Sequence, residues 1–164
     1  LALGAVARVG GPRGERRVPL EGFFLGPGQT VLASDELLLG LDIPDPAGHS
    51  LYLKHSLRTF MDIAIVGVAV SLQRVDGRCE SARIGMGAVA PTPTRATAAE
   101  AELAGQRLTP ERIERAARAA AAESRPIDDM RASAWYRRRM VEVLTRRALT
   151  TLAESPSFER EALG

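Results

Sequence analysis

Two apolar runs dominate the chain. Residues 63–72 (IAIVGVAVSL) place Val66, Val68, Val70 and Leu72 at every second position, with Gly67, Ala69 and Ser71 between them. Alternation at period two marks a strand, because successive side chains point to opposite faces of a sheet. Residues 82–90 repeat the pattern, with Ala82, Ile84, Met86 and Ala88 against Arg83, Gly85, Gly87 and Val89. Between the runs stands Asp76-Gly77, a dipeptide suited to the positive φ values of a tight hairpin turn. The stretch therefore predicts a central β-hairpin. Its large-residue face suits a helix-covered core, and its small-residue face admits the close approach of another backbone, a helix or a ligand. Fully burying each large aliphatic contributes about 1.5–3 kcal/mol, so this hairpin carries much of the domain's stability.

The rest of the chain splits by period. Residues 1–9 are apolar with Ala and Gly, and Gly10-Gly11-Pro12-Arg13-Gly14 turns the chain into a short returning strand over residues 16–20. Residues 37–43 fit a helix by composition, but the alternation of Leu39, Leu41 and Ile43 and the stop at Pro44 favour a strand. Asp45-Pro46-Ala47-Gly48 reads as a linker and a domain boundary. Residues 51–58 alternate again, with Leu51, Leu53 and His55 on one face and Tyr52, Lys54 and Ser56 on the other. Beyond Pro91 and Pro93 the period becomes helical. Thr94 or Thr97 caps a short helix through Leu103, with Gly105 as its stop. Thr109-Pro110-Glu111 opens a second helix that runs to about Glu123. A long last helix starts near Ser133 and runs to about Ala153. Tyr136, Met140, Val143, Leu144, Ala148 and Leu152 form its apolar face, with Arg137, Arg138, Arg139, Arg146 and Arg147 largely off it. Residues after Glu154 read as a frayed tail. The expected fold is α+β: an antiparallel sheet of about three strands (51–58, 63–73, 79–90) with helices on one face.

Composition narrows the function classes. The 164 residues carry a net charge of +2, with basic and acidic residues interspersed. That excludes a basic face of the kind nucleic-acid binding needs. Nearly all the cations are arginine, with Lys54 the one lysine. The one cysteine, Cys79, rules out a disulfide framework or a cysteine metal site within this chain, and fits a reducing cytoplasm. No apolar run reaches the ~18 residues of a membrane span. The chain starts at Leu rather than Met, in what reads as a strand without a lead-in, so the expectation is a chain whose upstream part is not included.

Candidate chemistry is sparse. There is no dinucleotide fingerprint and no phosphate loop ending in GK[ST]. Gly85-Met86-Gly87 lies inside a strand pattern, where packing is its expected role. His49, in the linker, and His55 lack further ligands for a metal. Asp128-Asp129 offers either paired carboxylates for proton transfer or a helix cap and ion-pair partner. Cys79 reads as a small buried residue, with a reactive thiolate as the alternative. The Arg-rich last helix is either a solvated face or a surface for an anion or a partner. Lys54, beside Tyr52 and just past the linker, can reach into a cleft between domains, where cofactors bind, or simply be solvated.

Three stretches then carry a resemblance: YLKHSLRTFMDIAIVGVAV, ARIGMGAVAPTPTRATAAEAELAG and PIDDMRASAWYRRRMVEVLTRRAL. They resemble the FAD-binding medium subunit of the molybdenum hydroxylases, the family of aerobic carbon monoxide dehydrogenase and the xanthine dehydrogenases. RRVPLEGFFLGPGQTVLASDELLLGLDIP looks like the end of that subunit's FAD-binding domain. The resemblance implies a truncated FAD-binding domain over residues 1–48 and a flavoprotein C-terminal domain over 49–164. It implies FAD as the cofactor of the complete subunit, fed by 2Fe-2S clusters that draw electrons from a molybdenum cofactor. The clusters and the molybdenum cofactor belong to an iron–sulfur subunit and a molybdenum subunit, and the flavin passes electrons to an external acceptor. By the same analogy Lys54 looks like a lysine that contacts the flavin, and Leu38 like a leucine that packs by its ring. The glycine-rich loops that cradle the FAD pyrophosphate in this family have no counterpart in the sequence. The rival expectation is a non-catalytic assembly module that docks partner subunits without binding flavin.

Overall fold

A computed structural model describes residues 1–45, 48–58 and 61–155. Two residues of the expected linker, 46 and 47, and the expected tail at 156–164 lie outside the described residues. Nine strands come first: β1 (Val6–Gly11), β2 (Gly14–Pro19), β3 (Phe24–Gly26), β4 (Gln29–Thr30), β5 (Leu37–Asp42), β6 (His49–His55), β7 (Val66–Val75), β8 (Arg78–Gly87) and β9 (Thr94–Arg95). Three helices follow: α1 (Thr97–Leu103), α2 (Pro110–Glu123) and α3 (Ala134–Glu154). The strands form a three-stranded sheet β2-β1-β5, a small ribbon β3-β4 and a four-stranded sheet β6-β7-β8-β9. Every pairing is antiparallel.

The central hairpin forms as the pattern predicts. Val68 pairs Met86 and Val70 pairs Ile84, while Asp76 and Gly77 take φ values of 50° and 73° at the reversal. Its bounds differ from expectation at both ends. β7 starts at Val66 rather than 63, because β6 ends at His55, which faces Val66, and the preceding residues have no strand to pair with. β8 stops at Gly87, because Ala88 turns left-handed at φ 63° and leaves the ladder. A fourth strand also joins the sheet. Thr94-Arg95 pairs Met86 and Gly85, and two residues straight after Pro93 are too short to show any alternation. His49 is the first residue of β6 rather than part of the linker.

The helices cover one face of the four-stranded sheet. Val66, Val68, Val70, Leu72, Ile84 and Met86 bury there against Leu103 of α1, Ile113 of α2, and Val141 and Leu149 of α3. Thr109 caps α2 by accepting from the Arg112 amide at 3.3 Å, and Pro110 opens it. Ser133 caps α3 by accepting from the Tyr136 amide at 3.2 Å. α1 departs from expectation: neither Thr94 nor Thr97 caps it. Ala96 holds the cap position, and the Glu123 carboxylate at the end of α2 accepts from the Ala98 amide (3.0 Å) and the Thr97 hydroxyl (3.2 Å). A carboxylate at a helix N-terminus is favoured wherever in the sequence it comes from.

The opposite face carries the small residues, and two of them accommodate a neighbour. A Cβ on Gly67 would sit 2.7 Å from the Tyr52 hydroxyl, so the phenol ring lies over this glycine. Ala2 of the N-terminal turn passes over Gly85. Packing is thus the role of Gly85. Gly87 departs from that expectation, since a side chain there would meet nothing within 4 Å. The smaller sheet has its own core of Ala7, Val9 and Phe23.

The inward face of α3 keeps Leu144, Ala148 and Leu152 of the expected one but takes in Val141 and Leu149 in place of Tyr136 and Val143. Val141, Leu144, Ala148, Leu149 and Leu152 are buried, and Arg137, expected to lie off the core, is 4% exposed. Its guanidinium donates to the carbonyls of Ile65 (2.8 Å) and Ala88 (3.1 Å) and ion-pairs with Asp129 at 2.7 Å. These carbonyls stand where β7 begins and β8 ends, without ladder partners. Arg137→Ala leaves both unsatisfied inside the protein and should lower unfolding free energy by about 2–4 kcal/mol in urea titration. A loss under about 1 kcal/mol would contradict this role. Amides of Arg131 and Ala132 and the Arg137 guanidinium hold the Asp129 carboxyl low, at about 2. Its contribution to stability is present above the ordinary carboxylate range of ~4 and lost as pH falls through about 2. Carboxyl NMR should find that low midpoint, rising in Arg137→Ala.

Candidate functional site

Lys54 is built into the site by period two. β6 buries Leu51 and Leu53 partly against the helix-side core, so Tyr52 and Lys54 project from the other face of the sheet. Lys54 pairs across to Gly67, whose lack of a side chain makes room for the Tyr52 ring beside it. The ammonium donates to the carbonyl of Asp62 at 2.6 Å. An ammonium has three donors, so capacity remains for an acceptor presented from solvent.

The loop after β6 is organised by Asp62. Its carboxylate accepts from the amides of Arg58 and Ile63, both at 2.8 Å, and the Arg58 guanidinium reaches the Met61 carbonyl at 3.3 Å. Met61 takes φ 50°, and its side chain is 96% exposed. The Arg58 amide, with Ile63 and the Arg58 charge adding to it, holds the Asp62 carboxyl below the usual range. This residue escaped sequence reasoning. An acid after a β6-like strand gives no pattern signal, and only the fold shows that it carries the Lys54 contact.

Leu38 lies in β5, an edge strand of the smaller sheet, opposite Val9. A bulge between Arg8 and Val9 inserts Leu39 as an extra residue, whose side chain leans over Gly10. The bulge breaks the alternation, so Leu37, Leu38, Leu39, Leu41 and Ile43 all remain exposed. Leu38 and Lys54 are thus carried by separate sheets. The sheets are tied together by Glu21, which accepts from Arg83 of β8 (3.1 Å) and Arg95 of β9 (3.0 Å). Arg95 also pairs with Glu100 of α1, whose carboxylate accepts from the Ile84 amide at 2.8 Å. Glu21 and Glu100 were likewise invisible to sequence reasoning, since their partners lie 62 and 16 residues away.

The remaining candidates resolve into structural roles. Asp128 accepts from the Ala134 amide at 2.6 Å at the start of α3, and Asp129 holds Arg137. The pair is therefore a cap and an ion-pair partner rather than an acid–base couple. Cys79 is buried, its thiol pushed up to about 11 by desolvation, which disfavours a reactive thiolate. His55 meets the Tyr136 hydroxyl at 3.0 Å, joining the end of β6 to the start of α3. Among the described residues no group of three His, Cys, Asp or Glu side chains could hold a metal ion. No described helix is long and apolar enough to cross a membrane.

This architecture has known counterparts. Residues 51–152 match the family described as the CO dehydrogenase flavoprotein C-terminal domain. The chain belongs to that family. Its relatives serve different substrates. It is 31% identical over 142 residues to the xanthine dehydrogenase FAD-binding subunit of Escherichia coli O157:H7, covering 85% of this chain and 49% of that protein. It is 35% identical over 149 residues to the nicotine 6-hydroxylase medium subunit of Paenarthrobacter nicotinovorans, covering 91% of this chain and 52% of that one. Among solved structures it resembles carbon monoxide dehydrogenase from Hydrogenophaga pseudoflava, in a form lacking the Mo-pyranopterin moiety of the molybdenum cofactor. That match has a TM-score of 0.88 and 37% identity, over 92% of this chain and 53% of that one. The chain thus spans about half the length of these relatives.

Asp62→Ala should release the loop of this flavoprotein C-terminal domain while leaving β6 and β7 paired. Hydrogen exchange at the Arg58 and Ile63 amides should accelerate, with the Tyr52 and Val68 amides unchanged. Because the Asp62 carboxyl is held low, the wild-type loop should keep its protection as pH drops below ~4, and lose it only when the carboxyl protonates. Unaltered exchange at both amides would refute the assignment.

Proposed function

We propose that this chain is part of the flavin subunit of a molybdenum hydroxylase. In this reading residues 1–48 complete an FAD-binding domain, and residues 49–164 form the domain that closes the flavin site and meets the iron–sulfur and molybdenum subunits. The carrying observation is the match of residues 51–152 to a flavoprotein C-terminal domain, with Lys54 on the helix-free face of that domain's sheet. FAD, when bound in the complete subunit, supplies the redox chemistry that moves electrons from iron–sulfur clusters to an external acceptor.

The residues present fit one end of such a group. Lys54 offers an ammonium with donors to spare, suited to a carbonyl or other acceptor on the flavin ring. Leu38, exposed on its bulged edge strand, offers an apolar surface for the ring to pack by. The pyrophosphate end is not provided for, because the sequence holds no glycine-rich loop whose amides would neutralise two phosphates. We assign that cradle to a preceding segment, and a cytoplasmic setting belongs to the same reading. No side chain here is assigned proton transfer in the reaction. Substrate choice falls to the molybdenum subunit, in keeping with the variety of substrates named for the relatives.

The experiment is made on the complete subunit carrying this sequence. Lys54→Ala should weaken FAD binding or shift the flavin midpoint potential while the complex stays assembled, as read by flavin titration and by gel filtration of the complex. Failure of assembly with normal flavin content would instead favour a docking module. The 164-residue chain by itself should bind FAD weakly; tight, stoichiometric binding would place the phosphate cradle here after all.

A further inference from the structure

Beyond that reading, the groove between α2 and α3 has the composition of a docking surface. It encloses about 640 Å³ and is lined by Arg118 and Ala122 of α2 and by Trp135, Arg138, Arg139 and Glu142 of α3. The four α3 residues fall at i, i+3, i+4 and i+7, so they form one continuous stripe along the helix. It lies on the helix side of the four-stranded sheet, away from Lys54. Trp135 is 71% exposed, although an indole buries more apolar area than most side chains when covered.

The charges in the groove are unbalanced. Arg139 is held by Glu142 at 2.8 Å, and Arg118 only by Glu114 at 3.4 Å, from outside the lining. Arg138 makes no ion pair among the described residues and stands one turn from Trp135. Three guanidiniums therefore line the groove with one carboxylate. Tryptophan and arginine are the residues most enriched where protein surfaces meet, and arginine binds carboxylates in a bidentate fork.

We propose that this groove binds an acidic segment of a partner polypeptide, its carboxylates on Arg138 and Arg118 and an apolar side chain on the Trp135 ring. The occupant is acidic because the lining has a surplus of guanidiniums. It is a polypeptide because a bare anion has no use for the exposed indole between them. Neither the flavin reading nor the position of Lys54 enters this inference, so either stands if the other falls.

Trp135 is the sole tryptophan of the chain, so its fluorescence reports the groove directly. The 164-residue chain is titrated with a short peptide of alternating Glu and Leu, with the same peptide carrying Gln for Glu, and with inorganic phosphate. The Glu peptide should give a saturable change that weakens with added salt. The Gln peptide should bind at least about tenfold more weakly, as should the Glu peptide on R138E. Arg147, exposed on α3 but outside the groove, supplies the control: R147E should stay within about twofold of wild type. Equal binding of both peptides, equal loss in R147E and R138E, no saturable change, or the same response to phosphate as an adventitious ion only would each overturn the proposal. Both substituted side chains are exposed, so unchanged melting temperatures separate lost binding from lost folding.

Discussion

A guanidinium sits where a hydrophobic side chain would be expected, and the domain is arranged around it. Burying a charge is costly unless it is paired and its donors are used. Arg137 is paired by Asp129 and its Nη1 is used by the sheet, while its Nε is left without a partner among the described residues. The carbonyls of Ile65 and Ala88 stand just outside the two ends of the central hairpin, one residue before β7 and one after β8. One guanidinium satisfies both, and Asp129 neutralises it. An apolar residue at 137 would pack as well and leave two orphaned acceptors. The next residue, Tyr136, reaches His55 and so anchors the end of the strand that carries Lys54. α3 therefore fixes the position of β6 from the helix side by polar contacts as well as by packing.

A second set of charges works at the other edge. Glu21 joins Arg83 and Arg95, and Arg95 continues to Glu100, which caps the Ile84 amide inside the sheet. The chain of contacts runs from the smaller sheet through β9 to α1. Each exposed pair contributes little to stability. Their use is geometric, because they set how the sheet bearing Leu38 lies against the sheet bearing Lys54. The proposed flavin half-site, with one residue on each sheet, would need such a clamp more than deeper burial.

What the sequence made legible follows from which forces are local. The hairpin of β7 and β8, the Asp76-Gly77 reversal, the Thr109 and Ser133 caps and the helical period of α2 depend on neighbours a few residues away, and all were readable. β9 was not, because two residues show no period and only β8 makes them a strand. The face of α3 was misread for a chemical reason. Arginine counts as polar in any pattern, so Arg137 was assigned outward, and the expected stripe, right at Leu144, Ala148 and Leu152, took in Tyr136 and Val143 where the buried face takes in Val141 and Leu149. The candidate site divides in the same way. Lys54 could be singled out because it is the one lysine and lies on an alternating strand. Asp62, Glu21 and Glu100 could not, because acids carry no label until the fold supplies their partners.

The two faces of the four-stranded sheet then separate two tasks. The helix-free face offers the Lys54 ammonium and the Tyr52 phenol lying over Gly67, and among the described residues no ion pair is formed by Lys54. The helix-covered face turns the large aliphatics of β7 and β8 from Val66 to Leu72 and at Ile84 and Met86 inward and, Arg137 apart, leaves the charged residues of α2 and α3 at least partly exposed. A ligand bound at Lys54 and a polypeptide bound at Trp135 would thus meet the same rigid sheet from opposite sides. The first arm of the hairpin between them has no titratable side chain from Val66 to Gln73, and its large residues are locked in the buried core. Rigidity of this kind insulates the two surfaces, because packed cores transmit strain only where they have two arrangements to choose between.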